Sequence, residues 1–187
     1  MPVTQNYLSP RHSGGVSGMN QMTEAKLWRN PCPFSFRMNF LAMRYNTPCY
    51  DWVQKTEGLS RIEYVVIYSL ALCEGGQAKD IAISSGFPKN SLSRAMAKLE
   101  KAGLIMRETD NQDKRNQPLY LTEEGWKLFN RTLPVFERRE QEMLNGLNDE
   151  EVKTLSNLMA KVVLNSANLT DDIPAEIKPS NTEQKTP

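Results

Sequence analysis

The side chains best suited to chemistry in this 187-residue sequence stand on one short predicted helix. Its first two turns carry cationic, amide and hydroxyl groups: Lys89, Asn90, Ser91 and Arg94. An arginine can donate two hydrogen bonds to guanine and an asparagine can pair with adenine, whereas serine and lysine more commonly hold phosphates. These residues predict a helix that reads base edges in the major groove of DNA, with Ser93 and Lys98 assisting at phosphates.

The other side of this helix is apolar. Between residues 89 and 102 the apolar positions recur at i, i+3, i+4 and i+7: Leu92, Ala95, Met96, Leu99 and Ala102. At 100° per residue this spacing makes one buried stripe and leaves the polar residues on the opposite face. An ordinary amphipathic helix with a solvated face has the same pattern, so the neighbouring elements must decide between the two interpretations.

A basic hairpin is predicted directly after this helix. Short strands over residues 104–107 and 119–121 flank a polar tip at 110–115. In the tip, Asp113 can accept a hydrogen bond from the guanidinium of Arg115 and hold it extended, and an extended arginine suits a narrow minor groove. The helix and the hairpin together predict a winged helix-turn-helix that binds duplex DNA.

Capping residues predict the helices that position this module. Ser60 and Glu63 form a capping box that opens a helix ending near Leu72. A shorter helix follows over residues 77–85 and is closed by Gly86. The short helix, the turn and the polar helix are then in helix-turn-helix order.

Long helices are predicted at both ends of the folded region. The first covers residues 34–55, where Pro48 should kink or divide it, and another runs from 123 to about 145 with a bend at Pro134. Asn148, with a glutamate three residues on, opens the last helix. The predicted fold class is mainly α, of the α+β type, in the order α-α-α-α-β-β-α-α.

The composition suits one folded domain with flexible ends. The chain is 39% hydrophobic and 24% charged with a net charge of +1, although residues 77–115 hold eight Lys/Arg against five Asp/Glu. Glycines and prolines predict a flexible N-terminal arm over 1–33, with order at most near Leu27 and Trp28, and a polar composition predicts a disordered tail over 166–187. The folded domain is then expected at 34–165.

Several classes of protein do not fit the sequence. No apolar run approaches the ~18 residues of a membrane span, and residues 1–33 lack signal-peptide order, so a cytoplasmic protein is expected. His12, the single histidine, lies in the predicted arm, so a nucleophile in the folded domain has no histidine base. Three cysteines without CxxC spacing do not indicate a disulfide framework or a zinc site. We expect that the protein is not an enzyme and that it binds no metal or cofactor.

Three short stretches follow one another between residues 99 and 125: LEKAGLIMR at 99–107, D-x-x-D-x-R at 110–115, and LTEEG at 121–125. In this order they resemble the MarR family of bacterial transcriptional regulators, whose pattern is a Gly-Leu/Ile turn, an acidic-basic wing and a Leu-Thr-x-x-Gly helix entry. The resemblance extends loosely over residues 36–164.

The resemblance implies a homodimer on a pseudo-palindromic operator, most often as a repressor in the bacterial nucleoid. The DNA-binding lobe would lie at about 60–125, and dimerisation would use the long terminal helices at 34–58 and 126–165. Independently, the apolar positions of residues 133–164 exceed what one small domain should bury, so a partner helix is expected. Alternatively, they close the chain's own core.

The resemblance also implies a small aromatic or phenolic effector, bound between the dimerisation helices and the DNA-binding lobe. Arg37, Tyr45 and Tyr64 are the candidate lining residues, because an arginine can pair with a carboxylate and aromatic rings can stack on the ligand. The alternative is that both tyrosines belong to the core and that the arginine is solvated.

Two further functions stay open. Redox sensing needs a thiolate: Cys49 follows Pro48 at an expected helix break, where a new helical turn would lower its pKa, and Cys32 precedes the first helix. Peroxide-sensing relatives carry their cysteine near the position of Phe36, which counts against this function, and Cys73 is expected to be buried. Winged helices also serve as protein-interaction modules, but the polar helix face and the charged wing favour DNA.

Overall fold

The computed structural model describes residues 20–108 and 117–169. In chain order the elements of this part of the chain are α1 (Gln21–Trp28), α2 (Pro33–Glu57), α3 (Arg61–Leu72), α4 (Ala78–Ser85), α5 (Lys89–Lys101), β1 (Ile105–Arg107), β2 (Leu119–Leu121), α6 (Glu123–Leu144) and α7 (Asp149–Ser166). From α2 onwards they follow the predicted order, so the fold class is confirmed. One additional helix, α1, precedes them.

Helix α1 lies inside the segment that the sequence predicts as a flexible arm. It begins where the Asn20 side chain accepts a hydrogen bond from the Thr23 amide at 2.8 Å. A guanidinium nitrogen of Arg37 on α2 donates to the Leu27 carbonyl at 3.1 Å, and the Arg37 guanidinium carbon lies 5.4 Å from the centre of the Trp28 ring. Residues 20–28 are therefore an ordered part of the fold that packs on α2.

Pro48 does not divide α2, which continues as one helix from Pro33 to Glu57. A proline has no N–H, so the carbonyl of Arg44, one turn earlier, lacks its helical donor. Arg139 of α6 supplies two donors instead, because its Nε and NH2 lie 3.3 and 2.9 Å from the Arg44 carbonyl oxygen. Helix α6 is likewise continuous through Pro134.

Helix α3 provides the centre of the core. It begins at the predicted capping box, in which the Ser60 amide donates to the Glu63 carboxylate at 2.7 Å. Four of its side chains have no exposed surface: Tyr64, Val66, Ile67 and Leu70. Helices α2, α4 and α5 and strand β2 all pack against α3. This helix therefore holds the elements of the predicted DNA-binding lobe together.

The chain divides into two compact units between Met143 and Leu144. In the first unit Phe136 of α6 is 4% exposed and stacks on the Tyr64 ring at 4.9 Å. The chain's own core therefore buries Phe136, as the alternative interpretation of the apolar positions at 133–164 expects for this residue. In the second unit, α7 begins at the predicted capping box of Asn148 and Glu151 and contains no buried residue.

None of the helices in the described ranges is both long and apolar enough to span a membrane.

Candidate nucleic-acid interface

Helix α5 has the two faces that its sequence predicts. Four of the five predicted residues of its apolar side are buried in the core: Leu92, Ala95, Met96 and Leu99. The fifth, Ala102, is exposed, because it is the C-cap at the end of the helix. On its other side the predicted contact residues are exposed, apart from the half-buried Ser91: Lys89, Asn90, Ser93, Arg94 and Lys98. The first turn contains no acidic residue that would repel a phosphate from the positive end of the helix dipole. The exposed face of α5 is therefore suited to a nucleic acid.

The turn before α5 sets where this face begins. Helix α4 ends at Gly86, whose φ of 69° is the left-handed conformation that glycine adopts without strain. Phe87 follows, and Pro88 is the N-cap of α5. The guanidinium carbon of Arg61 lies 5.7 Å from the centre of the Phe87 ring and 5.0 Å from that of Tyr50. Sequence reasoning missed Arg61, because only the fold brings these three residues together.

The base of the wing is tied to α5. Strands β1 and β2 pair antiparallel, with Ile105 opposite Leu121 and Arg107 opposite Leu119. Arg107 forms an ion pair with Glu100 of α5 and donates to the Gln117 side-chain oxygen at 3.3 Å. The wing thus leaves the domain from a fixed place beside α5. The tip, with the predicted contact residues Asp113 and Arg115, lies outside the described residues.

The Leu-Thr-x-x-Gly stretch joins α6 to the turn that follows α5. The hydroxyl of Thr122 donates to the Gly103 carbonyl at 2.6 Å and accepts from the Gly125 amide at 3.1 Å, so it caps α6. At Gly125 the backbone comes so close that a Cβ atom would lie 2.1 Å from the Leu104 carbonyl oxygen. Thr122 and Gly125 therefore orient α6 relative to α5 and the wing.

Lys98 has a second contact that its sequence position does not indicate. Its ammonium lies 2.8 Å from a carboxylate oxygen of Glu63, a residue that is 6% exposed. Burial on its own would raise the pKa of Glu63, but hydrogen bonds from Lys98 and Ser60 outweigh it and hold the pKa below its ordinary value of 4.5. Lys98 thus ties α5 to the start of α3, and its predicted phosphate contact remains a prediction.

We expect Lys98→Ala to lower the free energy of unfolding at pH 7 by about 1–3 kcal/mol, because the buried Glu63 carboxylate loses a charged donor. The pKa of Glu63 is lowered on folding, so its contribution is complete above its ordinary value of 4.5 and disappears as the pH falls through the folded-state pKa. Denaturant unfolding at pH 7 and at about pH 3 measures the difference in free energy of unfolding between Lys98→Ala and the wild type. This difference should be smaller at the acidic pH. Lys101→Ala, at the exposed end of the same helix, is the control; an equal deficit in both variants would contradict the Glu63 contact.

The three candidate effector residues do not share one cleft. Arg37 holds α1, as described above. The hydroxyl of Tyr64 lies 2.8 Å from the Thr132 hydroxyl, and burial raises the Tyr64 pKa to about 12 against the opposing effect of that hydrogen bond. Tyr45 is half-buried, and its hydroxyl donates to the Phe136 carbonyl at 3.4 Å. Both tyrosines therefore pack between helices, which agrees with the alternative interpretation that they belong to the core.

A groove of about 460 Å³ lies between α2 and α6. Its walls combine apolar rings with charged groups: Pro48, Cys49, Trp52, Pro134, Val135, Arg138, Arg139 and Glu142. Arg138 and Arg139 each donate to Glu142 at 3.2 Å, and the Arg138 side chain remains 81% exposed. An accessible guanidinium beside an indole ring and two proline rings suits a small planar anion.

The cysteines differ from their predicted surroundings. Cys49 lies inside the continuous helix α2 and is 2% exposed, so there is no helix break to activate it. Burial raises the pKa of its thiol, although the nearby Arg139 charge acts in the opposite direction. The prediction of a lowered pKa at Cys49 is therefore wrong. Cys32 is exposed just before α2, as expected, whereas Cys73, which was expected to be buried, is exposed.

Comparisons with known proteins agree with this geometry. The sequence pattern of the MarR family matches residues 59–116. The chain is 28% identical over 112 residues to the transcriptional regulator HosA of Escherichia coli O111:H-, a match that covers 60% of this chain and 83% of HosA. These relatives are transcriptional regulators, not enzymes.

Solved structures show the same fold. A MarR family regulator from Silicibacter pomeroyi has a TM-score of 0.67 at 24% identity, over 82% of this chain and all of that one. A MarR family regulator from Listeria monocytogenes, solved with a 26mer DNA, has a TM-score of 0.65 at 21% identity, over 70% of this chain and 87% of that one. A MarR family protein from Mycobacterium tuberculosis, solved with salicylic acid, has a TM-score of 0.56 at 20% identity, over 70% of this chain and 96% of that one. Residues 59–116 therefore match the sequence pattern of the MarR family, and the chain has the winged-helix fold seen in the solved MarR family regulators.

Proposed function

We propose that this protein is a sequence-specific DNA-binding regulator that represses transcription as a homodimer. The observation that carries the proposal is the face of α5: polar and cationic side chains are exposed opposite a buried stripe, beside an anchored wing. Lys89, Asn90, Ser91 and Arg94 would enter the major groove, and Ser93 and Lys98 would hold phosphates. The wing would place Arg115, oriented by Asp113, in the minor groove.

Exposed apolar side chains support the homodimer. On α7, Leu158, Met159 and Val162 are 54%, 49% and 55% exposed. On the first half of α2, Phe34 and Met38 are 53% and 47% exposed. Large apolar side chains at helical spacing on a surface mark an interface with another molecule. A second copy is the partner we propose, because two winged helices on one two-fold axis match a palindromic operator.

The groove between α2 and α6 is the proposed effector site. The carboxylate of a small aromatic acid would pair with Arg138, and its ring would lie against Trp52 and Pro134. The salicylic acid complex of the Mycobacterium tuberculosis relative supports an effector of this kind. This proposal replaces Arg37, Tyr45 and Tyr64 as the residues around the ligand.

Selection of genomic DNA fragments by the purified full chain, at about 0.15 M salt, tests the proposed function. We expect a two-fold-symmetric motif and a complex with two chains per operator. Weak binding without a motif would overturn the proposal and favour a protein-interaction module.

Salicylate is the probe for the effector site, with release from the selected operator as the readout. Arg138→Gln should raise the salicylate concentration needed for release about ten- to a hundredfold, because a charge-assisted hydrogen bond of about 1.5–3 kcal/mol is lost. Lys127→Gln is the matched control, since Lys127 forms the same kind of i,i+4 ion pair on α6, with Glu123 at 2.9 Å. If the wild type and Arg138→Gln were released from the operator at the same salicylate concentration, the groove between α2 and α6 would not be the effector site.

A further inference from the structure

Arg61 joins the first long helix to the turn that begins α5. It is the first residue of α3, and its guanidinium carbon lies 5.0 Å from the centre of the Tyr50 ring on α2. The same guanidinium carbon lies 5.7 Å from the centre of the Phe87 ring. One planar cation thus contacts two rings that belong to different parts of the domain.

The Tyr50 ring is itself fixed by the core. It lies edge-on to Phe136 of α6 at 5.6 Å and to Tyr64 of α3 at 6.2 Å. Burial raises the pKa of the Tyr50 hydroxyl, while the charge of Arg61 and a hydrogen bond from it act in the opposite direction, so the two side chains also meet through their polar atoms. Three packed helices therefore define where the Arg61 guanidinium lies.

Phe87 stands at the start of the proposed reading face. The next residue, Pro88, is the N-cap of α5, and the proposed base contacts begin directly after it. Recognition of base edges requires the reading side chains to be held within about 0.5 Å of their productive position. A contact that fixes Phe87 therefore fixes the part of α5 whose position matters most.

We propose that Arg61 is a positioning residue for DNA recognition. It fixes the position of Phe87, and with it the start of α5, relative to α2 and α6. This inference rests on the proposed function, because it assigns Arg61 a part in the same DNA-binding surface. Arg61 acts through the two rings and not by touching DNA. A lysine cannot replace it, because an ammonium group lacks the planar shape that stacks on two rings at once.

The test uses Arg61→Lys and Arg61→Met in the full chain. Their matched controls are Arg131→Lys and Arg131→Met, because Arg131 of α6 forms a two-point ion pair with Glu57 of α2, at 3.0 and 2.6 Å. The affinities for the selected operator and for a random duplex are measured at several salt concentrations. Both Arg61 variants should lose about five- to tenfold in operator affinity, with the random-duplex affinity and the salt slope unchanged. The Arg131 variants should bind both duplexes like the wild type.

Two results with DNA would overturn the inference. Full operator affinity in Arg61→Lys would show that a charge suffices without stacking. An equal loss on both duplexes, with a salt slope lower by about one unit per subunit, would make Arg61 a phosphate contact.

Amide hydrogen exchange at residues 87–92 tests the same inference without DNA. Exchange should be faster in both Arg61 variants than in the Arg131 controls, because the turn has lost its anchor. If the wild type selects no motif, the proposed function fails, and this measurement still decides whether Arg61 holds the turn. Unchanged exchange would overturn the positioning role. Arg61→Lys covers the case in which Arg61→Met does not fold.

Discussion

Alanine at position 125 should lower the free energy of unfolding by about 3 kcal/mol, the upper end of the usual range for an overpacked site. The added Cβ atom would lie 2.1 Å from the Leu104 carbonyl oxygen, and neither backbone can yield without cost. Helix α6 is capped at this place by Thr122, so a shift would also strain its hydrogen bond to Gly103. Denaturant unfolding of Gly125→Ala against the wild type measures the effect.

Gly86→Ala separates the steric effect from the general cost of replacing a glycine. Gly86 has a φ of 69°, and no heavy atom beyond residues 85–87 lies within 4 Å of its added Cβ, so an alanine there meets backbone strain without a clash. That strain costs about 1–2 kcal/mol. If Gly125→Ala were no more harmful than Gly86→Ala, the close approach of α6 to the turn after α5 would be refuted.

Replacing Arg94 with alanine should weaken operator binding by about 1–3 kcal/mol for each half-site, which is the contribution of one well-placed contact to a base. Arg94 is exposed in the second turn of α5, and its Nε donates to the Asn90 carbonyl at 3.3 Å, so its guanidinium lies along the proposed reading face. Affinity for the random duplex should fall much less, since that binding depends on phosphates.

Titration of labelled operator and random duplexes distinguishes this role from general charge. Lys55→Ala removes one positive charge from the last turn of α2 and should leave operator affinity unchanged. Arg94→Lys should bind the operator little better than Arg94→Ala, because an ammonium group cannot make the two-point contact with guanine. Parallel losses on both duplexes for Arg94→Ala would instead place Arg94 at a phosphate.

Elements whose ends depend on neighbouring residues could be predicted from the sequence. The capping boxes at Ser60 and Asn148 and the apolar stripe of α5 involve residues within one or two turns of each other. The sequence indicated helix α1 only as partial order near Leu27 and Trp28, because glycines and prolines dominate residues 1–33. Its start signal, Asn20 followed by Glu24 in the first turn, is present in the sequence.

Features that depend on distant residues could not be predicted. The contact of Arg139 with the Arg44 carbonyl joins residues far apart in the chain, and nothing in the local sequence pairs them. The same holds for Lys98 with Glu63 and for Arg61 with its two rings. A proline in a helix indicates a lost hydrogen bond, but only the packing shows which side chain replaces it.

The replacement of a missing helical hydrogen bond by Arg139 bears on how sequences of relatives are compared. The acceptor is a main-chain carbonyl, so the contact makes no demand on the side chain of residue 44. It does make positions 48 and 139 interdependent: where residue 48 has an N–H, the carbonyl is already satisfied, and an arginine at 139 is no longer needed for it. Proline at 48 and arginine at 139 should therefore be gained and lost together among relatives, as a covarying pair.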